Sequence, residues 1–213
     1  MNKFLLEVEE FYLKNSYELD DDKRQIFKQI IDKVVQLYLR QYIKSNHTMM
    51  ELVLALEFIK QGKNIELEKD VGNLIADLIV YNQNYSELIE VETGFVPPEY
   101  SGDPVTYRFA REVSKIARYC KFTRYFSLAC PPFHILQLPE MILKKPEERT
   151  YEELSNIKKV LDLYYKASPI EIEELRNAKL DYIYIINVDK MKIKRVTVEE
   201  YFKITYSCRE NFY

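Results

Sequence analysis

Apolar and polar positions recur with two different periods along the 213 residues, and the switches between them divide the chain. Asp20-Asp21-Asp22 reads as a helix start, its acids complementing the positive end of the helix dipole. Ile26, Ile30 and Val34, flanked by Phe27, Ile31 and Val35, then form a stripe at helical spacing that predicts a long packed helix to about Tyr42. A second helix is predicted over residues 48–60, with Met49, Leu52, Val53, Leu56 and Ile59 inward and Gly62 as its stop. From there the period becomes two. Ile65, Leu67, Lys69 and Val71 alternate with Glu66, Glu68 and Asp70, a half-exposed strand closed by a Gly72-Asn73 turn. An apolar strand over 74–80, a polar turn at Asn82-Gln83-Asn84 and a third strand from Glu87 to about Gly94 follow.

Pro97, Pro98, Gly102 and Pro104 mark a loop, residues 105–121 an amphipathic helix, and residues 126–130 a short buried strand ended by Pro131-Pro132. The order is helix, three antiparallel strands, helix, strand. In the last third, a Thr150 and Glu153 capping pattern opens a helix to about Tyr165, and residues 180–188 and 194–198 read as strands. The expected fold class is α/β. Its expected organisation is a helical N-terminal addition over 1–44, a core over 45–138, and a mixed α/β C-terminal addition over 139–213 packed on that core.

Composition narrows the setting. Nearly half the residues are apolar, enough to bury a core without staples. Cys120, Cys130 and Cys208 are odd in number and widely spaced, so neither a disulfide framework nor a zinc site is signalled. No stretch is long and apolar enough to span a membrane, and acids directly follow the first short apolar run, unlike a secretory signal. A soluble, cytoplasmic protein with no membrane partner is expected. A net charge of -3 gives no global attraction to nucleic acid, so phosphate contacts would need a local basic patch.

The candidate chemistry lies in the hairpin. Asp77 interrupts an apolar strand, and Glu90 and Glu92 fall two apart on the next, on one face. At about 5 Å and an effective dielectric of about 20, each pair of carboxylates repels by about 3 kcal/mol. Three acids on a solvated sheet face are the plain alternative; if they converge, they need protons or a cation. With oxygen donors and no Cys or His read beside them, Mg²⁺ or Mn²⁺ is expected over zinc. On the following helix Arg108, Arg111, Lys115 and Arg118 recur at spacings of three, four and three, a basic ridge opposite Phe109, Val113, Ile116 and Cys120. Beside a carboxylate cluster that ridge is a candidate phosphate-docking surface for DNA.

The segment turn, apolar-Ala-Asp-apolar-apolar-apolar, hairpin, apolar-apolar-Glu-x-x-Thr-Gly resembles the PD-(D/E)XK nuclease superfamily, which includes archaeal Holliday-junction resolvases. The resemblance covers residues 48–131 and is strongest over 65–94. It implies a restriction endonuclease-like core and Mg²⁺-dependent hydrolysis of DNA. Asp77 and Glu90, with the Val91 carbonyl, would hold the metal, and Glu51, on the preceding helix, would hold a water at the ion. Glu92 stands where the family pattern has lysine; it would orient water or bind a second metal, with Lys115 or Lys69 supplying the missing charge. Lys115 and Tyr119, four apart, resemble the Gln-x-x-x-Tyr element of RecB-like members with lysine in place of Gln. In length, tyrosine content and motif set the chain is also similar to nuclease-like proteins of crenarchaeal spindle-shaped viruses. Nucleases of this fold often act as homodimers, and the stripe from Ile26 to Tyr42 offers an interface or core. Loss of the motif lysine leaves two rivals: a degenerate DNA-binding protein and a plain interaction module. His47, before the Glu51 helix, is read either as an assistant at the site or as a helix-entry residue near solvent, and His134 as having no ligand partner at readable spacing.

Overall fold

The computed structural model describes residues 2–43 and 45–210, the side chains of 45, 46 and 206–210 excepted, so the thiol of Cys208 lies outside the described side chains. The elements run α1 (Lys3–Ser16), α2 (Asp21–Leu39), α3 (Ser45–Lys60), β1 (Asn64–Val71), β2 (Leu74–Asn82), β3 (Tyr85–Val91), α4 (Pro104–Tyr119) and β4 (Tyr125–Cys130). Then come α5 (Tyr151–Tyr164), α6 (Ile172–Asn177), β5 (Tyr182–Asn187), β6 (Lys192–Thr197) and α7 (Val198–Glu210). The local signals work as expected: Asp20 caps α2 by accepting the Lys23 amide at 2.9 Å, and Thr150 caps α5 by accepting the Glu153 amide at 3.2 Å. Gly62 leaves α3 with φ +72, the left-handed turn that glycine makes cheaply.

The protein is α/β, with one six-stranded mixed sheet in the order β1-β2-β3-β4-β5-β6. β1, β2 and β3 are antiparallel, β3–β4 and β4–β5 parallel, and β5–β6 antiparallel. The C-terminal third thus continues the sheet as well as packing on it. Side chains of one sheet face, among them Leu67, Leu78, Val80, Ile89 and Val91, join the core cluster of α1, α2 and α3. The alternate positions Ile79, Leu88, Leu128 and Ile183 join the cluster of α4–α7. Two helical layers therefore enclose the sheet, as the near-continuous apolar runs of β2 to β5 require. Buried Arg149 knits the C-terminal third, donating to the carbonyls of Met141, Lys144, Leu175, Arg176 and Ala178. No helix among the described residues is long and apolar enough to cross a membrane.

Most of the stripe on α2 is core. Phe27, Ile30, Ile31 and Val34 are buried in the first cluster, while Ile26 and Leu39 of the same helix are 39 % and 62 % exposed. Ile30→Ala is expected to cost about 2–5 kcal/mol in denaturant unfolding. Ile26→Ala should stay within about 0.5 kcal/mol. Equal effects would mean that α2 packs differently.

Candidate metal centre and its lysine

The pairing of β2 with β3 stops at Leu78↔Ile89, although β2 runs four residues further toward its N-terminus, still paired to β1. Side chains replace the missing ladder at this fork. The Asp77 amide donates to Glu90 Oε1 at 3.0 Å, and the Val91 amide donates to Asp77 Oδ2 at 2.7 Å. Each carboxylate thereby satisfies a backbone donor that strand separation would leave unpaired. The next residue, Glu92, is anchored through its amide to the Ala129 carbonyl at 2.7 Å.

Lys115 of α4 fills the fork. Its Nζ lies 2.9 Å from Glu90, 2.8 Å from Glu92, 3.5 Å from Asp77 and 3.1 Å from the Val91 carbonyl. Arg111, one turn earlier, meets Glu92 at 2.8 Å. Burial alone would lower the Lys115 pKa, but the three carboxylates outweigh it and hold the group well above its ordinary value. The same two cations hold Glu92 below the usual glutamate range against its burial. Glu90 differs: burial and the Asp77 charge push it up to about 8 despite Lys115.

On the other side of Asp77 is a second cluster. His47 and Glu51 are four apart on α3, on the face turned to the sheet, and Glu68 comes from β1. One ligand atom from each of His47, Glu51, Glu68 and Asp77 lies within 4.8 Å of all the others. Glu68 reaches in because its backbone is in the left-handed region, φ +45, at the point where β1 and β2 have no recorded pair between Leu67↔Leu78 and Lys69↔Ala76. A non-glycine residue there costs about 1–3 kcal/mol. Lys33 of α2 braces the kink, donating to the Leu67 and Glu68 carbonyls.

His47 Nε2 stands 3.1 Å from Glu51, 3.9 Å from Glu68 and 4.0 Å from Asp77. Burial would depress its pKa; the carboxylates reverse that and bring it to about 10. Glu51 is fully buried, and neither of its oxygens accepts a well-directed hydrogen bond. Burial raises its pKa to about 7, with His47 opposing and Asp77 reinforcing the shift. A fully buried carboxylate met at 3.1 Å by His47 and crowded by Glu68 and Asp77 has the surroundings in which a cation could be held. With every group charged, Glu51, Glu68, Asp77, Glu90 and Glu92 would outnumber His47, Arg111 and Lys115 by two, an excess that protons on Glu51 and Glu90 largely take up near neutral pH. Glu51 and Glu90, the two acids raised toward neutrality, are where that excess is felt. The residues present fit a divalent ion. A cavity of about 650 Å³, lined by His47, Glu68, Asp77, Tyr107 and Arg111, leads to it.

Several expectations change. Asp77, Glu90 and Glu92 do converge, but the Glu90 carboxylate and Val91 carbonyl face the Lys115 ammonium, and the metal-capable set is His47, Glu51, Glu68 and Asp77. The preference for Mg²⁺ assumed no histidine nearby, and His47 removes that premise. The residues Arg108, Arg111, Lys115 and Arg118 do not all project from the helix into solvent. Lys115 turns inward, Arg111 grips Glu92, Arg118 bonds the Ser168 carbonyl and covers the Tyr165 ring, and Arg108 bonds the Pro104 carbonyl. Lys69 pairs with Glu66 rather than with the fork. Tyr119 donates to the Ile75 carbonyl at 2.9 Å, beside the fork. His134 has a partner after all: Glu112 Oε1, 2.8 Å away and equally buried.

His47 and Glu51 share a legible i, i+4 signature for a helix face. Glu68 could not be found from alternation, because its kinked backbone breaks the pattern. No family model, curated protein or solved structure matches this chain.

Removing the ammonium should expose the repulsion. Lys115→Met is expected to lose about 3–5 kcal/mol of stability near pH 7. The sign of the pH effect follows from the raised carboxylate Glu90: once Lys115 is gone its pKa rises further, so the deficit should grow as pH rises through about 8, where the wild type can ionise Glu90 and the variant still resists. Denaturant titrations at several pH values measure this; a deficit independent of pH would point to lost packing alone.

Proposed function

We propose that this chain is a divalent-metal-dependent nuclease that hydrolyses phosphodiester bonds in DNA. The observation that carries the reading is Asp77 itself, shared between a four-residue set able to hold a cation and a buried lysine amid carboxylates. Glu92 in the lysine position of the Glu-x-Lys pattern does not by itself speak for lost chemistry, because Lys115 arrives from α4 within 2.8 Å of it. That favours an enzyme over a degenerate binding protein.

His47, Glu51, Glu68 and Asp77 would hold the ion, with Mn²⁺ favoured over Mg²⁺ because an imidazole joins the oxygen donors. When bound, the ion supplies Lewis-acid polarisation of a phosphate oxygen. Lys115, charged and oriented by Glu90 and Glu92, would stabilise the negative charge that builds on the phosphoryl oxygens as water attacks and one ester oxygen leaves, taking a proton from solvent in the cavity. Arg111, 40 % exposed and lining the cavity, would hold the neighbouring phosphate while its Nε keeps Glu92. The attacking water must surrender a proton, and an ionised carboxylate of the Glu51–Asp77 set is the acceptor within the site.

Labelled duplex, branched and single-stranded DNA incubated with Mn²⁺, Mg²⁺ or EDTA is the direct test. Cleavage is expected with Mn²⁺ and not with EDTA, and Asp77→Asn and Lys115→Gln should each lower it at least about a hundredfold. Full activity of purified Asp77→Asn would overturn the reading. Ion binding must also displace protons, since His47 is pushed up to about 10 and Glu51 to about 7. The affinity for Mn²⁺ is therefore expected to rise steadily from about pH 6 to about pH 9, with proton release in calorimetry. His47→Ala should flatten that rise.

A further inference from the structure

The cavity that leads to Asp77 carries two aromatic rings that the fold leaves open. Tyr42, between α2 and α3, and Phe95, in the segment joining β3 to α4, both line it, and they are 74 % and 60 % exposed. Among the described residues neither ring has another ring or a cation against it. Tyr107, which also lines the cavity, shows the ordinary alternative: its ring stacks on Tyr100 at 4.5 Å and meets the edge of Tyr164. His47, Glu68 and Asp77 are far less exposed than the two open rings, so the cavity has an ionic floor and an aromatic rim.

The backbone under Phe95 is held from several sides. Its amide donates to the Thr93 hydroxyl at 3.4 Å, the Glu92 amide is tied to the Ala129 carbonyl, and Gly94 packs against the His134 ring. A fixed segment therefore presents an apolar ring to solvent beside a site of ions, an arrangement that marks a contact surface.

We propose that the site takes a single-stranded stretch of DNA, with unpaired bases stacked on Phe95 and Tyr42 while a phosphate of the same strand lies at Asp77 and Arg111. The inference rests on the nuclease reading and adds to it the form of the substrate. In a duplex both faces of every base are covered by neighbours, and only sugar and phosphate could reach these rings. An unpaired base has its faces free, and stacking on an aromatic side chain is tolerant of sequence. Size points the same way: the 650 Å³ cavity falls within the range of pockets for single small ligands, about 300–1,000 Å³, which admits an extruded nucleotide and not a duplex. A second copy of this chain is the competing occupant. An apolar face closing the rim would bury Arg111 and His47 more deeply without supplying them a partner, which disfavours it.

The chain has no tryptophan, so Phe95→Trp and Tyr42→Trp each introduce a single fluorescent reporter. Mixed rapidly with excess oligonucleotide in Mn²⁺, both should be quenched by a single strand and not by a blunt duplex. Tyr17→Trp, exposed between α1 and α2, should be quenched by neither. In cleavage assays Phe95→Ala and Tyr42→Ala should each raise KM for a single strand about 5- to 150-fold, with kcat within about threefold of wild type. Phe95→Tyr and Tyr42→Phe should restore it, and both alanine variants should unfold at the wild-type denaturant midpoint. Equal cleavage of duplex and single strand, unchanged in both alanine variants, would overturn this inference and leave metal-dependent hydrolysis standing. Equal quenching at Tyr17→Trp, or a wild-type dimer in sedimentation that Phe95→Ala dissociates, would overturn it as well. No cleavage of any DNA by wild type would instead strike the nuclease reading, and this inference with it.

Discussion

Two strands that part before they end, and the buried charge gathered where they part, set the terms for the rest of this structure. Beyond Leu78↔Ile89 the β2–β3 ladder gives way to side-chain bonds from Asp77 and Glu90. That substitution brings carboxylates into the interior, and burying them obliges the surrounding layers to send cations. α4 sends Lys115 and Arg111, and α3 sends His47. The helices are thus tied to the sheet by electrostatics as well as by apolar packing.

Much of this architecture was legible along the chain, for a reason that also marks the limit of legibility. Helices α2 to α5 and strands β1 to β4 follow local periodicity and local caps, such as Asp20, Gly62 and Thr150, which a sequence displays directly. The convergence of Asp77 with Glu90 and Glu92 followed from a hairpin with a short turn. What could not be read is anything requiring the angle at which one layer crosses another. Spacing alone places Lys115 on a basic ridge that faces solvent, because charge on an amphipathic helix usually does. Here its neighbour Glu112 is buried as well, so both polar residues lie on the packed side. Alternation places Glu68 on the exposed face of β1, and a single left-handed residue voids that inference.

The sheet also separates two kinds of polar burial. Around Asp77 carboxylates crowd together, with Glu51 met by His47 at 3.1 Å but by no well-directed hydrogen bond. Around Arg149, and around Glu87 with its two hydroxyl donors, polar groups are saturated. Saturated groups fix loops and strands in position; unsaturated ones store a capacity to bind. That contrast distinguishes scaffold from site more sharply than burial alone, since all of these residues are buried or nearly so.

Glu112 and Lys115 are three residues apart on α4 yet engage different neighbours, one the His134 and Gln137 segment behind β4 and the other the fork. The helix is consequently gripped from two directions about its own axis. Gly94, at φ +78, reinforces the grip, since a Cβ there would sit 2.6 Å from His134 Nδ1. Rolling α4 by even a fraction of a turn would break a buried ion pair on one flank or the other. Its rotation is therefore all but frozen, and any breathing of the cleft must come from its rim, leaving the lysine a stationary electrode within the fold.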